Sequence, residues 1–313
     1  MLITGSIKTV RQFIERQIKK GRSIGFVPTM GALHEGHASL IRKCRRENDI
    51  VVLSIFVNPK QFEINEDFDV YPRPAKKDKL LAKNEKVDII FYPSVEEMYP
   101  RSYLTYVYVK QLTEGLCGRS RPGHFEGVTT VVTKLLNIIQ PHVMYLGQKD
   151  AQQAVVIKKM ASDLNIPIKI KILPTIRAKD GLALSSRNTY LSVDQRRQAP
   201  VIYRSLKRAK KDILEGEQKT LKVVNGIRAE ILRSSSGQID YVECVDADHL
   251  TPKKRLQGRI LIAAAVKFGK TRLIDNIVVI GLPSAKQNIK SPSIVGKKLG
   301  RFDIKKEKVN KTS

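Results

Sequence analysis

Short apolar runs alternate with amphipathic segments along the first half of the chain. The runs have the length and composition of buried strands and lie at 24–27, 50–56, 87–92, 143–146 and 168–173. The segments between them have helical spacing of apolar residues and lie at 38–46, 74–83, 128–139 and 152–164. This βαβ series predicts an α/β fold with a mostly parallel, doubly wound sheet, whose ligand lies beyond the carboxyl ends of the strands.

The pattern changes after about residue 175. Two charged helices are predicted at 194–215 and 221–233, and three strands follow them. These strands are predicted at 239–245, 259–266 and 273–279. We therefore predict a parallel α/β first domain over 1–175, a smaller α+β domain over 176–283, and a basic tail over 284–313 whose polar, aperiodic sequence predicts disorder.

A histidine pair follows the first of these predicted strands. In His34-Glu35-Gly36-His37 the histidines are three residues apart, so in a first helical turn both imidazoles project from one face. A helix start after a strand presents unpaired N–H groups and partial positive charge, which favour a phosphate. A helix cap with a surface histidine would give the same four residues, but the position after a strand favours the nucleotide site.

Two further loops follow predicted strands at the same edge. They are Asn58-Pro59-Lys60-Gln61 and Gly147-Gln148-Lys149-Asp150. Because the carboxyl ends of parallel strands meet at one edge, the three loops are predicted to converge there.

Composition narrows the class of protein. The chain has 313 residues with 42% hydrophobic side chains, and no apolar run long enough to cross a bilayer. The N-terminus lacks the uninterrupted apolar core of a signal peptide. Cys44, Cys117 and Cys244 are far apart, without disulfide or zinc spacing. We expect a globular, cytoplasmic protein with reduced thiols and no membrane contact.

The formal net charge of +27 is high for an enzyme and favours an anionic partner. The basic residues are spread along the chain, and aromatic residues make up only 6%, with no Trp for base stacking. We therefore expect a generally basic surface that attracts small anions, and no specific nucleic-acid partner.

Four motifs in register resemble the pantothenate synthetase (pantoate-β-alanine ligase) family over about residues 1–283. They are Pro28 to His37, Ser54 to Pro59 with Gln61-Phe62, Gly147 to Asp150 with Gln152-Gln153, and Ser185-Ser186-Arg187-Asn188. The resemblance implies a nucleotidylyltransferase-type Rossmann domain with a C-terminal lid domain, and a homodimer. It also implies ATP- and Mg²⁺-dependent condensation of (R)-pantoate with β-alanine through a pantoyl adenylate, with release of AMP and pyrophosphate.

The same resemblance assigns site residues. His37, His34, Lys149 and Arg187 would be the catalytic residues that stabilise charge on the phosphates. Gln61, Gln153 and Asn58 would bind pantoate. The residues expected to bind ATP are Met30, Gly31, Ala32, Leu33, His34, Glu35, Gly36, His37, Gly147, Gln148, Lys149, Asp150, Ile176, Leu184, Ser185, Ser186 and Arg187.

Structural explanations compete with several of these roles. Lys149 and Arg187 could be ordinary surface cations, and Ser185 and Ser186 could form a turn and a helix cap. His124 could border the site or be a structural histidine, and we leave it unassigned.

The chain departs from the family pattern at three places. Leu184 and Gln148 stand where Met and Glu are common, which changes little if the backbone contacts ATP. Lys76 and Lys77 precede Asp78 where acidic residues are often found. Mg²⁺ held mainly by ATP oxygens and water needs few protein carboxylates, so Asp78 or water could suffice, and no protein ligand is assigned.

Two other functions remain possible from the sequence. One is a different adenylylating enzyme of the same fold, such as a relative of class I aminoacyl-tRNA synthetases, although no tRNA-binding domain is visible. The other is a nucleic-acid-binding protein that has lost catalysis.

Overall fold

A computed structural model describes residues 1–63 and 66–282, and within them one parallel sheet dominates the first part of the chain. Its strand order is β1-β4-β3-β2-β5-β6, and every pairing in it is parallel. The strands are β1 (Leu2–Thr4), β2 (Ile24–Thr29), β3 (Ile50–Ile55), β4 (Ile89–Phe91), β5 (Val143–Gly147) and β6 (Lys169–Leu173).

Helices cover both faces of this sheet, as a doubly wound fold requires. The apolar sides of α1, α6 and α7 pack on one face, and those of α2 and α3 pack on the other. The helices of this part are α1 (Ile7–Ile18), α2 (Glu35–Glu47), α3 (Ala75–Asn84), α4 (Val95–Met98), α5 (Cys117–Ser120), α6 (His124–Ile139) and α7 (Ala151–Asp163). The predicted α/β class is therefore confirmed.

The strand order reverses between β2 and β5, which are neighbours in the sheet. From β2 the chain continues to β3 on one side of this point, and from β5 it continues to β6 on the other side. The loops after these two strands separate at this point and leave a crevice, which is the usual ligand position in such sheets. The histidine motif follows β2, and Gly147 to Asp150 follows β5.

A second, antiparallel sheet follows in the chain, with the order β7-β8-β9. Its apolar face packs against two helices. The elements of this part are α8 (Val193–Gln198), α9 (Val201–Leu214), α10 (Thr220–Ser234), β7 (Gln238–Asp246), β8 (Gly258–Phe268) and β9 (Thr271–Gly281). The smaller α+β part is thus confirmed, while residues 1–282 form one compact unit and the boundary at 175 stays a prediction.

Several elements differ from the prediction, and helices α1, α4 and α5 were not predicted. The helix predicted over 194–215 is interrupted, because Pro200 has no backbone N–H to continue the hydrogen-bond ladder and α9 begins after it. Strand β1 was not predicted, since three residues are too short for a pattern. The predicted disordered tail at 284–313 lies outside the described residues.

No helix in residues 1–63 and 66–282 is long and apolar enough to cross a membrane.

Candidate active site

A cavity of about 1180 Å³ opens at the carboxyl ends of β2 and β5 and extends to the second sheet. Fourteen of the predicted site residues line it, so the three loops and the segment after residue 175 do converge. These residues are Met30, His34, Gly36, His37, Gln61, Gly147, Lys149, Asp150, Gln153, Ile176, Leu184, Ser185, Ser186 and Arg187.

The histidine pair builds the start of α2. His34 is the N-cap residue, and its Nδ1 accepts a hydrogen bond from the Gly36 N–H at 3.1 Å. His37 Nδ1 in turn accepts from the His34 N–H at 3.3 Å, and the two ring centroids are 4.2 Å apart. Histidine thus performs both halves of a capping box, a task usually taken by Ser or Thr with Glu.

These caps fix where each imidazole carries its proton. Because each Nδ1 accepts from the backbone, the neutral ring must carry hydrogen on Nε2. Burial lowers the pKa of His34 to about 4, and the positive charge of Lys149 adds to the effect. Burial, His34 and Lys149 lower the pKa of His37 to about 3. Both rings are therefore neutral at pH 7, and each offers a single Nε2–H donor.

Lys149 supplies the fixed positive charge beside the two imidazoles. It lies in the 3-10 turn that follows β5, and its Nζ is 3.3 Å from Asp150 Oδ1. The turn is tied to the second sheet, because Asn276 Nδ2 donates to the carbonyl oxygens of Gln148 and Lys149 at 3.0 and 2.8 Å. Asn276 on β9 was not predicted, since nothing near it in sequence marks a site.

Gln61 ends the 3-10 turn Pro59–Gln61 that follows β3, and it is almost fully buried. Its amide Nε2 contacts Met30 Sδ at 2.9 Å, and its Oε1 accepts from Asn58 Nδ2 at 3.2 Å. Asn58 does not border the cavity; it is 1% exposed and also bonds Gly127 and Tyr99. Its position behind Gln61 favours support of that side chain over the direct pantoate contact that the sequence predicts.

His124 also helps to hold Gln61 in place. Its Nδ1 is 2.7 Å from the Gln61 carbonyl oxygen, so it donates there, and Nε2 accepts from Arg121 at 3.1 Å. Arg121 also donates to the Gln61 carbonyl at 3.1 Å and pairs with Glu66. Burial, followed by the charge of Arg121, lowers the pKa of His124 to about 3. Both ring nitrogens thus bond protein groups, which favours a structural histidine at the cavity wall.

The adjacent residues Gln152 and Gln153 have different roles. Gln152 is buried and braces the chain before α5, accepting from the Cys117 N–H and donating to the carbonyls of Leu112 and Gly115. Gln153 lines the cavity. A helix turns by about 100° per residue, so neighbours on α7 face different surroundings.

Arg187 reaches the cavity from the 3-10 turn Ser186–Tyr190. Its Nε and Nη2 donate to the two carboxylate oxygens of Asp67 at 2.9 and 2.7 Å. Ser185 caps this turn, and Ser186 Oγ is 3.0 Å from Tyr71 Oη. Sequence reasoning missed Asp67 and Tyr71, which lie in an irregular loop without a recognisable motif.

A short hairpin precedes this turn, in which the Leu184 N–H donates to the Ile176 carbonyl at 3.0 Å. Among the described residues, Thr175 Oγ1 and Asn188 Oδ1 are buried at the cavity without a hydrogen-bond partner. Such unsatisfied acceptors favour a polar ligand or ordered water.

The remaining predicted residues stand back from the cavity. Gly31, Ala32, Leu33, Glu35 and Gln148 belong to the same loops but do not border it. Glu35 pairs with Arg42, and Gln148 Nε2 donates to Asn276 Oδ1 at 3.0 Å. No group of three or more His, Cys, Asp or Glu in residues 1–63 and 66–282 is arranged to hold a metal ion. These side chains therefore do not form a metal cage.

The fold and this site define a class. A parallel, doubly wound sheet with a cationic, histidine-capped cavity at its switch point is the arrangement of a nucleotide-handling enzyme.

The sequence profile of the pantoate-beta-alanine ligase family matches residues 2–278. Pantothenate synthetase of Caldicellulosiruptor saccharolyticus is 53% identical over 279 residues, or 89% of this chain and 99% of the relative. That of Thermotoga neapolitana is 49% identical over 89% of this chain and all of the relative. The chain belongs to the pantoate-β-alanine ligase family and is a ligase that forms a C–N bond.

Solved structures of this family have a similar fold. A pantothenate synthetase from Thermus thermophilus has a TM-score of 0.84 at 40% identity, covering 88% of this chain and 99% of that one. A pantoate-beta-alanine ligase from Francisella tularensis, complexed with beta-gamma ATP and beta-alanine, has a TM-score of 0.73 at 38% identity, with coverages of 89% and 97%.

Proposed function

We propose that the chain condenses (R)-pantoate with β-alanine in two steps within this cavity. A pantoate carboxylate oxygen attacks the α-phosphorus of ATP, and the bond to the β-phosphate oxygen breaks to release pyrophosphate. The amine nitrogen of β-alanine then attacks the carbonyl carbon of the adenylate, AMP leaves with the oxygen, and the amine loses its proton to solvent. Activation is needed because a carboxylate is a poor electrophile.

The paired imidazoles are the observation that carries this proposal. Two imidazoles, set in place through Nδ1 by backbone caps and therefore protonated on Nε2, line the cavity at a helix N-terminus together with Lys149. Fixed donors of this kind stabilise negative charge as it develops on a phosphoryl group without having to reorganise during the reaction. Because the pantoate carboxylate is already ionised, its attack needs positioning and charge stabilisation and no general base.

Pantoate binds to the neutral amides Gln61 and Gln153 in this proposal. Both line the cavity, and Gln61 is held from behind by Asn58 and His124. An amide offers donors and an acceptor, so it can orient hydroxyls and a carboxylate without adding a competing charge.

Arg187 binds the ATP phosphates after exchanging one anionic partner for another. Its bidentate contact with Asp67 satisfies the guanidinium before ATP enters. Phosphate oxygens match the same planar donor geometry and carry more charge, so they can replace the carboxylate. Mg²⁺ would neutralise charge on the ATP phosphates, and with phosphate oxygens and water as its main ligands it would need few protein carboxylates.

Pyrophosphate exchange tests the first step. The purified chain, given ATP, Mg²⁺ and labelled pyrophosphate, is expected to form labelled ATP only when pantoate is added. Exchange driven by an amino acid in place of pantoate would instead support an aminoacyl-adenylating enzyme. Tight, salt-sensitive RNA binding without any exchange would support the nucleic-acid alternative.

We also propose a homodimer in the cytoplasm. Leu104, Tyr106 and Tyr108 are 87%, 48% and 54% exposed within one segment, which favours burial against a second copy. Cys44, Cys117 and Cys244 are free and buried, as is common in a reducing compartment. Light scattering of the purified chain tests the oligomeric state, with a dimer mass expected.

A further inference from the structure

Asp78 is a buried carboxylate that the reaction outlined above does not use. It lies in the first turn of α3 and is 2% exposed. Its Oδ2 accepts from the Ala32 N–H at 2.9 Å, and its Oδ1 accepts from the Leu33 N–H at 2.8 Å. Among the described residues no Lys, Arg or His forms an ion pair with it, and Lys76 and Lys77 beside it are exposed. Both oxygens are thus directed at the histidine loop.

That loop has an unfavourable backbone. Gly31 and Ala32 have φ angles of 82° and 48°, so both lie in the left-handed region. Glycine adopts this conformation freely, but an alanine there is strained because of its Cβ. The two N–H groups that Asp78 accepts come from Ala32 and from the residue after it. A carboxylate that accepts two successive N–H groups can hold the strained segment in place.

The loop leads directly into the capping histidines. Two residues after Ala32, His34 begins α2 and exchanges hydrogen bonds with the first turn. The direction of both Nε2–H donors therefore depends on the course of the loop. Ala32 and Leu33 themselves do not border the cavity, so Asp78 acts from behind its wall.

We propose that Asp78 is a positioning residue, whose carboxylate fixes residues 31–33 and thereby aims the imidazoles of His34 and His37 at the phosphates. This inference rests on the proposed function. The same geometry argues against Asp78 as the protein ligand to Mg²⁺, because its oxygens are enclosed and directed at backbone N–H groups. Burial also raises the pKa of its carboxyl group, as is expected for an anion with only neutral donors around it.

Asp78→Asn tests the proposal. The amide keeps the shape of the side chain but retains one acceptor, and its NH₂ group faces a backbone N–H. ATP affinity is measured by calorimetry in EDTA and again with Mg²⁺. We expect Kd for ATP to rise tenfold or more in both conditions. In steady state, KM for ATP rises and kcat falls, while KM for pantoate stays within twofold. Asp69→Asn, an exposed neighbour in the chain, is the matched control and should change none of these values.

Histidine NMR adds a readout that does not depend on turnover. The chain has five histidines, so their ring ¹H–¹⁵N signals can be assigned by substitution. In Asp78→Asn the signals of His34 and His37 should shift, whereas those of His142 and His249 should not. A second change, Ala32→Gly, removes the strain of the left-handed backbone. In the double variant with Asp78→Asn, Kd for ATP should be at least threefold lower than in Asp78→Asn alone.

Three outcomes would overturn the proposal. A loss of ATP affinity that appears only with Mg²⁺ would make Asp78 a metal ligand. Unchanged ATP affinity with unchanged histidine signals would show that the loop does not need it. Equal losses for ATP and pantoate, without rescue by Ala32→Gly, would indicate general unfolding. Failure of the proposed function is recognised separately, since the unmodified chain would then show no pantoate-dependent exchange.

Discussion

Two edges of the cavity, which in our proposal bind the phosphates, are built in different ways. After β2, two neutral imidazoles are held by caps and offer Nε2–H donors. In the Ser186–Tyr190 turn, Arg187 carries a full charge that is already satisfied by Asp67. In the proposed reaction the imidazoles need no rearrangement when ATP binds, whereas Arg187 must exchange Asp67 for a phosphate. A fixed edge suits charge that develops at the reacting phosphorus, and an exchangeable edge suits binding and release.

Removal of an imidazole from the fixed edge should have the largest effect. His37→Ala is expected to slow adenylate formation by about a hundredfold or more, because one fixed donor to the developing charge is lost. Single-turnover release of pyrophosphate measures this step, and thermal melting checks the fold. His249→Ala, at a ring with 80% side-chain exposure, is the control. Near-normal turnover with normal melting would contradict the assigned role.

Substitutions of Arg187 and of Asp67, the ion pair at the exchangeable edge, should change KM for ATP in opposite directions. Arg187→Ala is expected to raise KM for ATP about tenfold or more, since a charge-assisted phosphate contact is lost. Asp67→Asn should lower KM for ATP severalfold, because the guanidinium no longer has to leave a carboxylate. Initial rates against ATP concentration measure both. If Asp67→Asn raises KM as strongly as Arg187→Ala, then Asp67 is an essential support of the arginine and the two edges do not differ in the way described.

Because the buried histidines are neutral in the folded chain, the free energy of unfolding should depend on pH. Burial lowers the folded-state pKa of His34 to about 4 and that of His37 and His124 to about 3. The unfolded chain takes up these protons near pH 6.5, so the free energy of unfolding should fall as the pH falls from about 6.5 towards 4. Each such histidine contributes about 1.4 kcal/mol per pH unit in this window. Urea unfolding at pH 7 and pH 5 measures the loss, and His124→Gln should make it smaller. An identical pH dependence in this variant would contradict the assignment.

Removal of residues 284–313 should have the smallest effect. The tail lies outside the family match at 2–278, and none of the predicted site residues falls in it. We expect kcat and both KM values to stay within twofold of those of the full chain. A larger loss would indicate that part of the tail acts at the cavity and would add a third edge to the comparison.

The periodicity of the sequence predicted most elements of the sheet and its helices, because alternating buried strands and amphipathic helices leave a strong local signal. It failed where the signal is short or broken, as at β1 and at Pro200. At the site, motifs that follow strands identified His34, His37, Gln61 and Lys149 as cavity residues.

The sequence by itself determined the fold class, the family, and the loops that line the cavity, since these are properties of local patterns and ordered motifs. Only the tertiary structure decided that Asp67 holds Arg187, that His124 supports Gln61, and that Asp78 holds the histidine loop. Partners such as Asp67 and Arg187 are separated by 120 residues in the chain. A hydrogen bond between such partners requires a distance of about 3 Å, and tertiary packing sets that distance. Local sequence patterns do not show which of many similar side chains comes that close.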